Sequence, residues 1–157
     1  MMILIFCTDD DYLNRIAADS VLRCPQVFNR RYQVFRHSLP MLGAQEDLFI
    51  LAHRAFQAPE DGRPVIGDLA ERRYFFIDGI MCYRNISPII PAGYTGGIYI
   101  DACSSSDRSP DIESFIATLQ YQFTSNGQDI AVYGLNGADA GLIELPGSAK
   151  WRRAQRY

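Results

Sequence analysis

Short apolar runs that end abruptly in polar residues restrict the folds open to this sequence. The runs cover residues 2–7, 47–52, 97–102 and 130–133. Continuous apolar runs of this length are typical of strands that are buried on both faces, as in a parallel sheet. Parallel neighbours need a crossover connection, usually a helix. The runs therefore predict an α/β domain with a central, mainly parallel sheet.

Two segments between these runs have helical spacing. Residues 11–22 place apolar side chains on one helical face and begin with acids, which the helix dipole favours at an N-terminus. The second helix is predicted to begin at Ser109-Pro110, an N-cap followed by a first-turn proline, and to end at Gly127. Its apolar face consists of Ile112, Phe115, Ile116, Leu119 and Phe123.

Four other segments are less regular. Residues 32–35 are interpreted as a second strand, and residues 57–67, rich in proline and glycine, as a loop or small hairpin. Within residues 69–87, residues 74–77 could be a strand or the buried side of a helix that Gly79 interrupts. A helix is preferred, because two parallel strands need a crossover. Residues 142–145 suggest one more short edge strand or hairpin.

Length and charge limit the classes of function. The 157 residues suit one domain spanning 1–157, and the net charge of -3 gives no reason to expect nucleic acid or an anionic membrane as partner. No stretch approaches the roughly 18 apolar residues that a membrane span needs. We therefore expect a cytoplasmic protein, although delivery by a dedicated secretion machine would leave no readable trace. The basic tail, residues 150–157, is interpreted as solvated.

The four cysteines do not predict a metal site. Cys7, Cys24, Cys82 and Cys103 are widely spaced, with no CxxC pair and no histidine at ligand spacing. Cys7 and Cys82 lie in apolar runs, where buried free thiols are common. No metal or organic cofactor is implied.

Cys103 has a different setting, at the predicted end of a strand and before a serine run and a helix. A thiol is a useful nucleophile only as thiolate, which needs a base or a cationic neighbour. His53 stands at the end of the preceding apolar run, and the carboxyl ends of parallel strands are where function gathers in such sheets. His37, after a weaker strand, is the reserve candidate for the base.

Three segments together resemble a known class of peptidases. These are residues 48–53 (LFILAH), 66–69 (IGDL) and 98–105 (IYIDACSS). They are similar to the caspase-hemoglobinase class of cysteine peptidases, which includes caspases, metacaspases, clostripain, separase and toxin autoprocessing domains. Members of that class have a histidine at the end of one strand and a cysteine at the end of the next. The resemblance covers about residues 48–137 and implies a caspase-like three-layer sandwich.

The resemblance also implies roles for individual residues. Cys103 would be the nucleophile and His53 the general base and later acid, acting on a peptide or protein substrate. The backbone N–H groups of Cys103 and Arg54 would stabilise the oxyanion, although the class normally has glycine where Arg54 stands. Asp101 matches an aspartate that lines the pocket for a basic substrate residue in metacaspases and clostripain. Because residues i and i+2 of a strand share a face, Asp101 would point the same way as Cys103.

Several alternatives stay open. Arg54 in place of glycine favours a non-catalytic caspase-like domain used for binding or as a scaffold. A small bacterial effector with other hydrolase or transferase chemistry is a further alternative. The acidic run at residues 9–11 suggests a phosphoacceptor receiver, but a solvated helix start is the simpler interpretation. For Asp101, a cap of the following turn is as good an interpretation as a pocket residue. The sequence does not predict the oligomeric state.

Overall fold

The apolar runs form the strands of a six-stranded, mainly parallel sheet in the computed structural model of the chain. The structure describes residues 1–7, 10–67, 76–102, 110–135 and 142–155. In chain order the strands within these ranges are β1 (Met2–Ile5), β2 (Arg30–Gln33), β3 (Leu48–Leu51), β4 (Arg54–Gln57), β5 (Pro64–Gly67), β6 (Ile77–Asp78), β7 (Ile98–Asp101), β8 (Val132–Leu135) and β9 (Trp151–Arg153). The helices are α1 (Asp11–Arg23), α2 (Gly79–Ile86) and α3 (Pro110–Ser125), and a 3-10 turn covers Ser87–Ile89.

The large sheet has the order β2-β1-β3-β7-β8-β9. Its first five strands are parallel to one another, and β9 is antiparallel to its neighbour β8. The predicted α/β class with a mainly parallel sheet is therefore confirmed. Strand alternation separates the core into two layers. Ile3 and Ile5 pack towards α1, whereas Leu4 packs with Phe115 of α3 and Cys82 of α2. One helix thus covers one face and two helices cover the other.

A second, antiparallel sheet of three strands, β4-β5-β6, follows the end of β3. It confirms the hairpin alternative for residues 57–67. Gly62 has a φ of 74°, which suits the tight turn between β4 and β5. Since β4 begins at Arg54, Ala52 and His53 connect the two sheets directly.

The helix predicted over residues 69–87 is only partly correct. Its described part contains β6 and then α2, and residues 68–75 lie outside the described ranges. Gly79 was interpreted as an interruption, yet it begins the helix. A Cβ atom there would lie 2.6 Å from Thr118 Cγ2 and 2.9 Å from the Leu119 nitrogen, so the close approach of α2 to α3 requires glycine. Asp78 caps α2 by accepting a hydrogen bond from the Met81 N–H at 2.8 Å.

The C-terminal predictions were wrong in two respects. Residues 142–145 form no strand, and the edge strand is instead β9, within the tail that was interpreted as solvated. Burial explains the difference, because Trp151 and Ala154 are 9% and 4% exposed. The Trp151 Nε1–H donates to the Leu145 carbonyl at 3.0 Å, which ties this segment to β9. The basic side chains of Arg152 and Arg153 remain exposed.

Helix α3 confirms the predicted amphipathic helix, with its proline at the first position; Ser109 lies outside the described residues. A buried amide connects the helix to β8. Gln120 is 3% exposed; its Nε2 donates to the Ile130 carbonyl at 2.7 Å, and its Oε1 accepts from the Val132 N–H at 3.2 Å. In the described part of the chain, every helix is too short or too polar to cross a lipid bilayer.

We expect Gln120→Leu to lower the free energy of unfolding by about 2–4 kcal/mol, because it leaves two buried backbone groups without their partners. The change keeps the volume of the side chain nearly constant, so the loss reports the hydrogen bonds. Urea unfolding followed by circular dichroism measures it. Gln122→Leu, at a half-exposed position of the same helix, is the control and should cost less than about 0.5 kcal/mol. Equal losses in both variants would contradict the structural role of Gln120.

Candidate functional site

The strands that carry the candidate residues lie side by side in the large sheet. Leu51 of β3 pairs with Asp101 of β7 in parallel register, and the Ala52 N–H donates to the Asp101 carbonyl at 3.0 Å. His53 stands two residues after Leu51, and Cys103 stands two residues after Asp101 in the sequence. Cys103 itself lies outside the described residues, which end at Ala102 on this side. The ends of the two strands are therefore at the same edge of the sheet.

The His53 ring is held from the side of α1. Its side chain is 28% exposed, and its Nε2 lies 3.3 Å from Oδ2 of Asp10. The Tyr12 ring stacks on the imidazole with 5.7 Å between ring centroids and an interplanar angle of 28°. The ring is thus accessible to solvent while one of its nitrogens faces a carboxylate. This geometry suits a proton acceptor whose orientation is fixed.

Asp10 reaches His53 because it caps α1. Its backbone is extended, with φ of −125° and ψ of 105°, and its Oδ1 accepts from the Leu13 N–H at 3.1 Å. One carboxylate oxygen therefore serves the helix and the other faces the imidazole. The acidic run was interpreted as a solvated helix start. For Asp10 this interpretation is incomplete, because its carboxylate also faces His53. Asp9 lies outside the described residues. An aspartate before an apolar helical pattern predicts the cap, but the contact with His53 depends on how β1 and β3 pair.

Asp101 is 2% exposed, at the end of a strand whose neighbouring positions are apolar. Strand alternation places it on the same face as Tyr99, which packs in the core layer beneath α1. His53 also meets α1, so Asp101 and His53 belong to the same side of the sheet. A buried carboxylate is costly unless it has compensating partners, so this position carries a structural or a recognition role. Both roles proposed from the sequence remain compatible with this burial.

Arg54, where the resemblance would have glycine, is the first residue of β4. It pairs with Gly67 of β5, and its guanidinium carbon lies 6.0 Å above the Phe56 ring. Its φ is not positive, so the backbone conformation is open to any residue, and glycine is not needed here for conformational reasons. The Arg54 side chain is exposed, and arginine has a backbone N–H just as glycine does.

His37, the reserve candidate, has a structural role at the end of β2. Its Nδ1 accepts a hydrogen bond from the Gln33 backbone N–H at 2.8 Å, and the backbone N–H of His37 donates to the Gln33 carbonyl at 3.0 Å. β1 separates β2 from β3, so this turn belongs to a different part of the sheet edge.

The other three cysteines are free thiols that differ in exposure. Cys7 and Cys82 are buried, with 1% and 0% of their surface exposed, as the sequence predicted, whereas Cys24 is half-buried. Burial raises the pKa of the Cys82 thiol well above its usual range, and the nearby Asp78 charge adds to this. Among the described residues, no three His, Cys, Asp or Glu side chains are grouped as metal ligands would be.

Comparisons of the chain with protein-family models, with curated proteins and with solved structures find no match.

We expect iodoacetamide to label Cys24 in the native protein at least roughly a hundredfold faster than Cys82, because only a thiolate that solvent can reach reacts. Raising the pH from about 7 to 9 should not make Cys82 reactive, since a raised pKa keeps it protonated over this range. Mass spectrometry of the labelled peptides gives both rates. Labelling of Cys82 as fast as that of Cys24, without unfolding, would contradict the burial described here.

Proposed function

We propose that this chain is a caspase-like cysteine peptidase domain in which Cys103 is the nucleophile and His53 the general base. The observation that carries the proposal is the parallel pairing of β3 with β7, in which Leu51 and Asp101 are partners. His53 and Cys103 follow these partners at the same interval. The partly exposed imidazole beside Asp10 adds a second support, because a base needs both access and orientation.

In the proposed reaction the Cys103 thiol gives its proton to His53, and the thiolate attacks the carbonyl carbon of the scissile peptide. The backbone N–H groups of Cys103 and Arg54 stabilise the oxyanion. Collapse of the tetrahedral intermediate breaks the C–N bond, and the protonated His53 donates its proton to the leaving amine. Water, deprotonated by His53, then attacks the thioester. This step releases the carboxylic acid and restores the thiol.

Asp10 completes the site as the residue that orients His53. A neutral imidazole that donates its Nε2–H to the Asp10 carboxylate carries its lone pair on Nδ1, which is then the nitrogen that takes the thiol proton. The carboxylate also stabilises the imidazolium that forms. The Tyr12 ring limits rotation of the imidazole about its side-chain bonds.

Asp101 supports a preference for substrates with Arg or Lys before the scissile bond. It is the last residue of β7, two positions before Cys103 in the sequence, and it lies on the same side of the sheet as His53. A buried carboxylate that meets a substrate cation forms a charge-assisted pair. The proposed substrate is therefore a peptide or protein with a basic residue at the cleavage position.

The second candidate function is binding without catalysis, on the same fold. Arg54 favours it, because the peptidase class that the chain resembles normally has glycine at this position, where the backbone N–H helps to form the oxyanion hole. Labelling of Cys103 separates the two candidates, since a binding domain needs no activated thiol.

We expect Cys103 to react with iodoacetamide faster than the other three cysteines, and His53→Ala to slow this reaction by at least about tenfold, because the thiolate fraction depends on that base. His37→Ala removes the other histidine and should slow the reaction far less than His53→Ala does, because His37 contacts Gln33 and not Asp10. Peptide mass spectrometry at pH 7 measures the rates. Unchanged labelling in His53→Ala would leave the binding domain as the better proposal.

We expect Asp101→Asn to erase most of a preference for Arg or Lys at the cleavage position while Cys103 remains reactive. The pair is worth about 1.5–3 kcal/mol, which corresponds to about one to two orders of magnitude in selectivity. Cleavage of a peptide library by the wild type and the variant measures it, with Asp61→Asn, an exposed aspartate of the β4–β5 turn, as control. Cleavage by the wild type after aspartate or leucine would refute this specificity.

A further inference from the structure

A chain of polar side chains leads from the end of β2 to the His53 ring. The Gln33 Nε2 donates to Asn14 Oδ1 at 2.9 Å, and the Asn14 Nδ2 donates to the Asp10 carbonyl at 2.9 Å. Asp10 in turn faces His53 through its Oδ2. Gln33 belongs to β2, Asn14 to the first turn of α1, and Asp10 is the N-cap of that helix.

The directions of these hydrogen bonds are fixed by one acceptor. The Asp10 carbonyl can only accept, so Asn14 must present its Nδ2 there and its Oδ1 to Gln33. Gln33 must then present its Nε2. Its Oε1 is consequently left buried, with no hydrogen-bond partner among the residues that the structure describes. A buried amide oxygen in this state is costly, so an apolar side chain would serve packing better than Gln33 does.

The two bonds of Asn14 act on the backbone that carries the Asp10 carboxylate. The Asp10 carbonyl accepts from both the backbone N–H and the side chain of Asn14, at 3.0 and 2.9 Å. The Asp10 Oδ1 accepts from the Leu13 N–H at 3.1 Å. These contacts fix the peptide and one carboxylate oxygen of Asp10, and so they determine where its second oxygen points. We propose that Asn14 and Gln33 are positioning residues, which hold Asp10 against His53 and make the ring orientation depend on the end of β2.

This inference rests on the proposed function only for its effect on reactivity, because the contact with His53 can be tested without any cleavage. The chain has two histidines, so labelling histidine with nitrogen-15 gives two ring systems, with His37 as an internal reference. The ring nitrogen shifts report which nitrogen carries the proton. We expect the wild-type His53 ring to be protonated mainly at Nε2 when neutral.

We expect Asn14→Ala to reduce the share of the Nε2–H form of His53 and to slow labelling of Cys103 by about three- to tenfold, a factor that fits the loss of one hydrogen bond. Gln33→Met, which removes the donor at similar volume, should act in the same direction. Asn14→Ser should rescue part of the effect, since a serine hydroxyl can donate to the carbonyl four residues earlier. Asp10→Asn should change the His53 spectrum most, and Asp11→Asn, an exposed neighbour of equal charge, should not change it.

Asn85→Ala is the matched control for a merely structural role. The Asn85 Nδ2 donates to the Met81 carbonyl at 2.8 Å, the same bond between residues four apart, but on α2. It should lower the melting temperature as Asn14→Ala does and leave the His53 spectrum unchanged. An unchanged His53 spectrum in both Asn14→Ala and Gln33→Met would overturn the inference. A shifted spectrum, together with Cys103 labelling that ignores His53→Ala, would support the positioning chain and refute the peptidase.

Discussion

The parallel pairing of β3 with β7 is the contact on which both the fold and the candidate site depend. It joins segments that are 50 positions apart in the sequence, with the small antiparallel sheet and α2 between them. Closing so long a connection costs entropy, which is offset by burial of the strands on both faces. All eight residues of the two strands are buried. The same register that buries Leu48, Ile50, Ile98 and Ile100 brings the ends of the strands together.

The sheet could be predicted because burial on both faces leaves a strong pattern. Continuous apolar runs and two amphipathic helices indicate strand and helix without knowledge of their neighbours. Their parallel order follows from the crossover helices. The segment after β3 was harder, because β4 is short and begins with the exposed Arg54, so it lacks the apolar run that marks the other strands. β9 was missed for a similar reason, since two of its three residues are exposed arginines and only Trp151 is buried.

The site could be predicted only as far as strand ends determine it. His53 was chosen as a candidate because it ends an apolar run, and Cys103 because a serine run and a helix follow it in the sequence. Asp10 belongs to the same edge, but its contact with His53 is set by three-dimensional packing. The cap places the carboxylate at the start of α1, and the pairing of β1 with β3 then brings that start beside His53. Sequence spacing predicts the helix cap but does not predict the contact of Asp10 with His53.

The backbone of His53 is restrained on its N-terminal and on its C-terminal side, and further contacts restrain its ring. On the N-terminal side, Leu51 is held by β1 and β7; on the C-terminal side, Arg54 is held by Gly67 of β5. A backbone fixed at both ends leaves rotation of the side chain as the main freedom of the imidazole. Asp10 and Tyr12 act on that rotation. Because the backbone is already fixed by two sheets, a small displacement of α1 at its first turn would change the ring orientation without disturbing the fold. Contacts that anchor this turn to β2 therefore matter more for the orientation of the His53 ring than for stability.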